Sequence, residues 1–100
     1  MSLSEARIEF SLAISNLVRW GAEHGYELAY DDIKARSGHS PHSYHYLGLA
    51  ADLNLYKDGE YLEKTEDHLE LGEQWEKMGG VWGGRFTKED GNHYQWKYNG

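Results

Sequence analysis

One stretch of this chain is long and regular, and every other candidate element is short. Phe10, Ile14, Leu17 and Val18 recur at helical spacing with Ala13 on the same side, which predicts a first helix of about twenty residues. Ser4 is placed to cap it, Ile8, Leu12 and Trp20 widen its apolar stripe, and His24-Gly25 is a plausible stop. After it, the pattern changes to brief segments. Tyr26 to Tyr30 reads as a strand, and Asp31-Asp32 as the start of a short helical turn. Residues 37–43 are polar, hold Gly38 and the only proline, Pro41, and read as a loop.

Leu49 to Tyr56 alternates as a strand does, Asp58-Gly59 signals a hairpin turn, and Glu60 to Leu62 is the return strand. Thr65 reads as the N-cap of a helix carrying Leu69, Leu71, Trp75 and Met78, ended by Gly79-Gly80. Val81-Trp82 and Tyr94 to Tyr98 read as two last strands joined by a Gly-rich, charged turn. Helices and hairpins mix without β-α-β alternation, so the class is α+β. One hundred residues suit one domain, residues 1–100.

Hydrophobic residues make up 39% and aromatics 14%, too much for a disordered chain. The net charge of −7 argues against a nucleic-acid or anionic-membrane partner of the basic-patch kind. No apolar run approaches the roughly 18 residues of a membrane span. The start, Met1 to Arg7, does not read as a signal peptide, so the chain is expected in the cytoplasm until it is released. It is expected to be a monomer. With no cysteine, any metal site must use histidine and carboxylate.

The densest chemical signal is Ser43-Tyr44-His45-Tyr46-Leu47-Gly48-Leu49-Ala50-Ala51-Asp52, or Ser-x-His-x-x-Gly-x-Ala-x-Asp. Imidazole and carboxylate are both good Zn²⁺ ligands, and a turn at Gly48 lets Asp52 come back towards His45. Near the end stands Asp90-Gly91-Asn92-His93, or Asp-x-x-His. A ligand from there completes a two-His, one-carboxylate site with an open position, the arrangement of a catalytic metal. Ser43 reads as a holder of a backbone group or of a neighbouring ligand, and Gly48 as a tight bend or close approach.

The first motif resembles the signature of zinc D-alanyl-D-alanine carboxypeptidases and L-alanyl-D-glutamate endopeptidases, which cut peptidoglycan peptides. Asp90 to His93 is similar to that family's closing element. Trp82-Gly83-Gly84-Arg85-Phe86 and the run from Asp52 to Gly59 resemble phage endolysins of the family. The resemblance implies a Hedgehog/DD-peptidase fold, a small antiparallel sheet with packed helices. It also implies one Zn²⁺ held by His45, Asp52 and His93, with Asp90 as general base.

Members often carry an arginine after an upstream strand to stabilise the oxyanion. This chain has Asp31 after Tyr30, which leaves Arg36 and then Arg85 as candidates, each also readable as a surface charge. Trp82, Tyr94 and Trp96 read either as walls of a substrate cleft or as aromatic core. His39 and His42 read as extra site groups or as solvated loop residues, and His24 and His68 as helix surface. The expected function is an endolysin-type peptidoglycan peptidase acting on an L-alanyl-D-glutamate bond. The alternatives are a D-alanyl-D-alanine carboxypeptidase or dipeptidase, and an inactive zinc-binding module of the same fold.

Overall fold

The computed structural model describes residues 1–32 and 43–98. Helix α1 spans Leu3–Glu23 and begins at Ser2, not Ser4. An acidic residue three positions on adds a second, reciprocal bond to a serine cap. Ser2 has one in Glu5, whose backbone N–H donates to Ser2 Oγ at 3.1 Å while Ser2 N–H donates to Glu5 Oε1 at 3.1 Å. Ser4 has Arg7 in that place. Gly25, at φ +87°, ends the helix as its position suggested.

The buried stripe of α1 is Ala6, Phe10, Ala13, Ile14, Leu17 and Gly21. Ile8 and Leu12 stand outside it, 63% and 64% exposed. Each lies two residues, about 200°, from a buried position, so the stripe is narrower than its apolar content suggests.

A five-stranded antiparallel sheet carries the rest: β1 (Glu27–Asp32), β2 (Ala50–Lys57), β3 (Glu60–Leu62), β4 (Val81–Trp82) and β5 (His93–Gln95). Its order is β1-β2-β5-β4, with β3 also on β2. β1 pairs with Asp52 and Leu53 to Tyr56, so β5 at residues 50–52 and β3 at 55–57 share the other edge of β2. Asp31 and Asp32 extend β1 and do not begin a helical turn. Asp32 pairs with Asp52 across a register shift, where ladder hydrogen bonds replace the expected helical ones. Asp58 and Gly59 both have positive φ, 52° and 79°, which matches the twist of a tight β2–β3 hairpin.

Thr65 does not cap a long helix. Residues Thr65–His68 form a 3₁₀ turn, closed by Lys64 N–H donating to Asp67 Oδ2 at 3.1 Å, and helix α3 (Leu69–Lys77) follows. Leu71, Leu17, Leu53, Leu55 and Trp75 are fully buried between α1, α3 and one face of the sheet. Among the described residues, no helix is long and apolar enough to cross a membrane.

The β2 strand decides where the site sits. Ala51, Leu53 and Leu55 turn one face into this core, so Asp52 and Asn54 turn to the other. The two-residue period therefore delivers a carboxylate to the face away from α1 and α3.

Candidate metal centre

His45 comes from the four-residue helix α2 (Tyr44–Leu47), and sequence explains its placement at both ends. Ser43 Oγ accepts the His45 N–H at 3.2 Å and starts the turn. Gly48, at φ +73°, ends it in the left-handed region and hands the chain to β2. Arg7 of α1 donates Nε to the Leu47 carbonyl at 2.7 Å. A Cβ on Gly48 would lie 3.0 Å from that same Nε, so the glycine serves both a bend and a close approach.

His93 arrives by a second turn. Asp90 C=O accepts the His93 N–H at 3.1 Å, and Gly83 C=O accepts the Asp90 N–H at 3.0 Å. A Cβ on Gly83 would come within 2.2 Å of the Asp90 carbonyl oxygen and 2.9 Å of His93 Cβ. The Gly-rich segment is thus the bed on which the Asp-x-x-His turn rests. His93 then enters β5 directly opposite Asp52 on β2.

These routes converge. His45 Nε2 lies 3.0 Å from Asp52 Oδ1, and His93 Nδ1 lies 3.2 Å from His45 Nε2 and 3.4 Å from Asp52 Oδ1. The three residues form a candidate metal cluster, with ligating atoms all within 4.8 Å of one another. Both histidines are buried, at 3% and 5% exposure. Burial pushes the Asp52 carboxyl up, but hydrogen bonds from His45 and His93 outweigh it and hold the group below the ordinary carboxylate range. Burial lowers His93, and its bonds to Asp52 and Gln95 more than reverse that, leaving it raised. A charged carboxylate and two imidazole nitrogens facing one point suit a divalent cation such as zinc.

Asp90 stands at the rim. Its side chain is 52% exposed, and its Oδ2 lies 3.9 Å from His93 Nδ1. It is near the cluster without belonging to it. Phe86 packs on the His93 ring at 5.6 Å between centroids and is half-buried. Gln95 Oε1 lies 2.8 Å from His93 Nε2. Sequence reasoning missed both contacts. The available signal for Gln95 was its position two residues after His93 on a strand, which places both side chains on one face.

The same period corrects the cleft reading of Trp82 and Tyr94. Tyr94 alternates with His93 and so points into the core, 0% exposed, with its hydroxyl 2.7 Å from His68 Nδ1. Trp82 pairs with Tyr94 in register, shares that face and is 2% exposed. Its indole N–H donates to the Gly91 carbonyl at 2.8 Å. Both are core residues. Trp96 packs at 5.3 Å against the buried Trp75 ring. His68 is also buried, at 1%, and not on the helix surface: it stands three residues before Leu71 and seven before Trp75, the spacing of the buried face of α3. His24 is exposed, stacked on Trp20 at 3.9 Å.

Arg85 is an exposed side chain paired with Glu76 at 3.1 Å and lying over the Trp82 ring at 5.1 Å. Arg36, His39 and His42 lie outside the described residues.

A family model described as D-alanyl-D-alanine carboxypeptidase matches residues 36–96. That span runs from before the Ser43 motif to the end of β5 and contains all three cluster residues and Asp90. Among curated proteins, none matches the chain.

Proposed function

Because the chain belongs to the D-alanyl-D-alanine carboxypeptidase family, we propose that it is a zinc peptidase that hydrolyses a peptidoglycan peptide bond. The bond we favour is L-alanyl-D-glutamate, cut in the manner of an endolysin. The observation that carries the zinc reading is the convergence of His45 Nε2, Asp52 Oδ1 and His93 Nδ1 at 3.0 to 3.4 Å.

Zinc, when bound by these residues, supplies Lewis acidity and makes a water acidic near neutral pH. The chain's own residues do the rest. Asp90 Oδ2, beside the cluster at 3.9 Å from His93 Nδ1, is placed to take the proton of the attacking water. It then returns that proton to the leaving amine. Its 52% exposed carboxylate is reachable from solvent and by substrate. Phe86 forms an apolar wall beside His93. Arg36 is the proposed partner of the oxyanion, since Arg85 is engaged with Glu76.

A second reading has its own support. The matched family is described by carboxypeptidase activity, which trims a terminal D-alanine. An inactive zinc module is disfavoured by Asp90, which such a module does not need. Digesting purified peptidoglycan and identifying the product by mass spectrometry separates the three. A new D-glutamate amino terminus supports the endopeptidase. Released D-alanine supports the carboxypeptidase. Intact peptides with zinc bound leave the module.

A further inference from the structure

His93 has two ring nitrogens, and only one faces the cluster. Nδ1 lies 3.2 Å from His45 Nε2 and 3.4 Å from Asp52 Oδ1, while Nε2 meets Gln95 Oε1 at 2.8 Å. A neutral imidazole holds one proton, and the bond made by one nitrogen decides which nitrogen keeps its lone pair. That proton has partners on both sides. Inward, His45 Nε2 at 3.2 Å and Asp52 Oδ1 at 3.4 Å face Nδ1, and outward Gln95 Oε1 draws it to Nε2 across the shorter 2.8 Å. A proton on Nδ1 fills the point where the three donor atoms converge. A proton on Nε2 leaves the Nδ1 lone pair aimed into it.

We propose that Gln95 is a positioning residue for the metal centre: its amide oxygen accepts the His93 Nε2–H and holds the tautomer that offers Nδ1 to the ion. This rests on the zinc reading for the identity of the ion, whereas the tautomer is a property of the metal-free protein as well.

The strand makes Gln95 fit for the task. His93 and Gln95 are two residues apart on β5 and share a face. The Gln95 backbone is held on both sides, registered with Ala50 on β2 and Val81 on β4. Its carbonyl also accepts the Trp75 indole N–H at 3.0 Å. Only the side-chain torsions remain to be ordered. A carboxylate at this position accepts the same proton, which supplies a conservative variant, and a leucine fills similar space with no acceptor.

The test is a long-range ¹H–¹⁵N spectrum of the zinc-free chain at mildly alkaline pH, with zinc affinity measured against a competing chelator. The expected wild-type spectrum shows His93 protonated on Nε2 and bare on Nδ1. Gln95→Leu is expected to lose that preference and to weaken zinc binding roughly 10–100-fold, the usual cost of losing a partner behind a ligand. Gln95→Glu is expected to restore both. A wild-type His93 protonated on Nδ1 overturns the proposal, and so does a folded Gln95→Leu protein with wild-type zinc affinity. If Gln95→Leu does not fold, the wild-type spectrum and the Gln95→Glu variant decide. If the wild type binds no zinc, the peptidase reading fails, while the tautomer spectrum still decides the role of Gln95.

Discussion

Asp52 and His93 are direct partners across the β2–β5 pairing, and their side chains meet with Asp52 Oδ1 3.4 Å from His93 Nδ1. Strand register therefore builds the candidate site. A slip of one residue on β5 turns His93 into the core and Tyr94 out of it. Replacing Asp52 with Asn keeps the shape and removes the charge. Zinc affinity measured by chelator competition is expected to fall beyond the roughly 10–100-fold typical of losing an outer partner. A folded variant that binds zinc as the wild type does removes Asp52 from the ligand set.

Asp90 is expected to separate chemistry from binding. Its carboxylate is largely exposed and lies outside the 4.8 Å cluster, so Asp90→Ala should keep both zinc and thermal stability. Turnover of a peptidoglycan digest should drop by about 10²–10⁴-fold, the range for a lost general base. Undiminished cleavage assigns the proton transfer to another group.

Gly83 tests the bed of the second turn. The Cβ of Gly83→Ala comes within 2.2 Å of the Asp90 carbonyl oxygen, which is backbone and cannot swing away. The turn must shift, at a cost of about 1–3 kcal/mol by the usual scale of overpacking. Zinc affinity should fall together with the urea midpoint. Gly59→Ala is the contrast, since nothing lies within 4 Å of its Cβ; its strain is conformational, at φ +79°, and should leave zinc binding intact. Equal zinc binding by Gly83→Ala and wild type contradicts the coupling of this turn to His93.

His68 gives a pH signature. Burial pulls its pKa down from 6.5 to about 4, against a weaker upward pull from Asp67. Between those values the unfolded chain takes up a proton that the folded chain refuses. Its contribution is thus fully present above about pH 6.5 and is lost as pH falls towards 4, by up to about 3 kcal/mol. Denaturant melts of zinc-free protein should show this decline, and His68→Asn should flatten it. Identical pH profiles for the two proteins rule out a buried neutral His68.

The contrast between His45 and His68 shows what was legible from sequence. His45 sits in a spaced motif whose glycine and serine mark a turn, and the structure places that turn at the cluster. His68 looks like helix surface because it is polar, yet it stands three and seven residues before the buried Leu71 and Trp75, and that spacing carried its burial. Asp31 and Asp32 look like a helix start because acidic pairs often are, but long-range pairing with β2 overrides that local preference. Trp82 was ambiguous because its face depends on register with Tyr94 across β4 and β5, whereas the face of Tyr94 follows from alternation with His93 beside it. Gln95 escaped notice since a neutral amide carries no charge or motif of its own. Its meaning comes only from His93 two residues before it.

The most direct measurement is the zinc content of the purified chain after stripping with chelator and dialysis against dilute zinc, beside His93→Ala treated alike. The expected result is about one equivalent retained by the wild type and none held specifically by the variant, as a three-ligand site requires. Zinc at about 100 times its Kd should also stabilise the wild type by about 2.7 kcal/mol. A wild type that retains no zinc, or a His93→Ala protein that retains as much, contradicts a metal centre built from His45, Asp52 and His93.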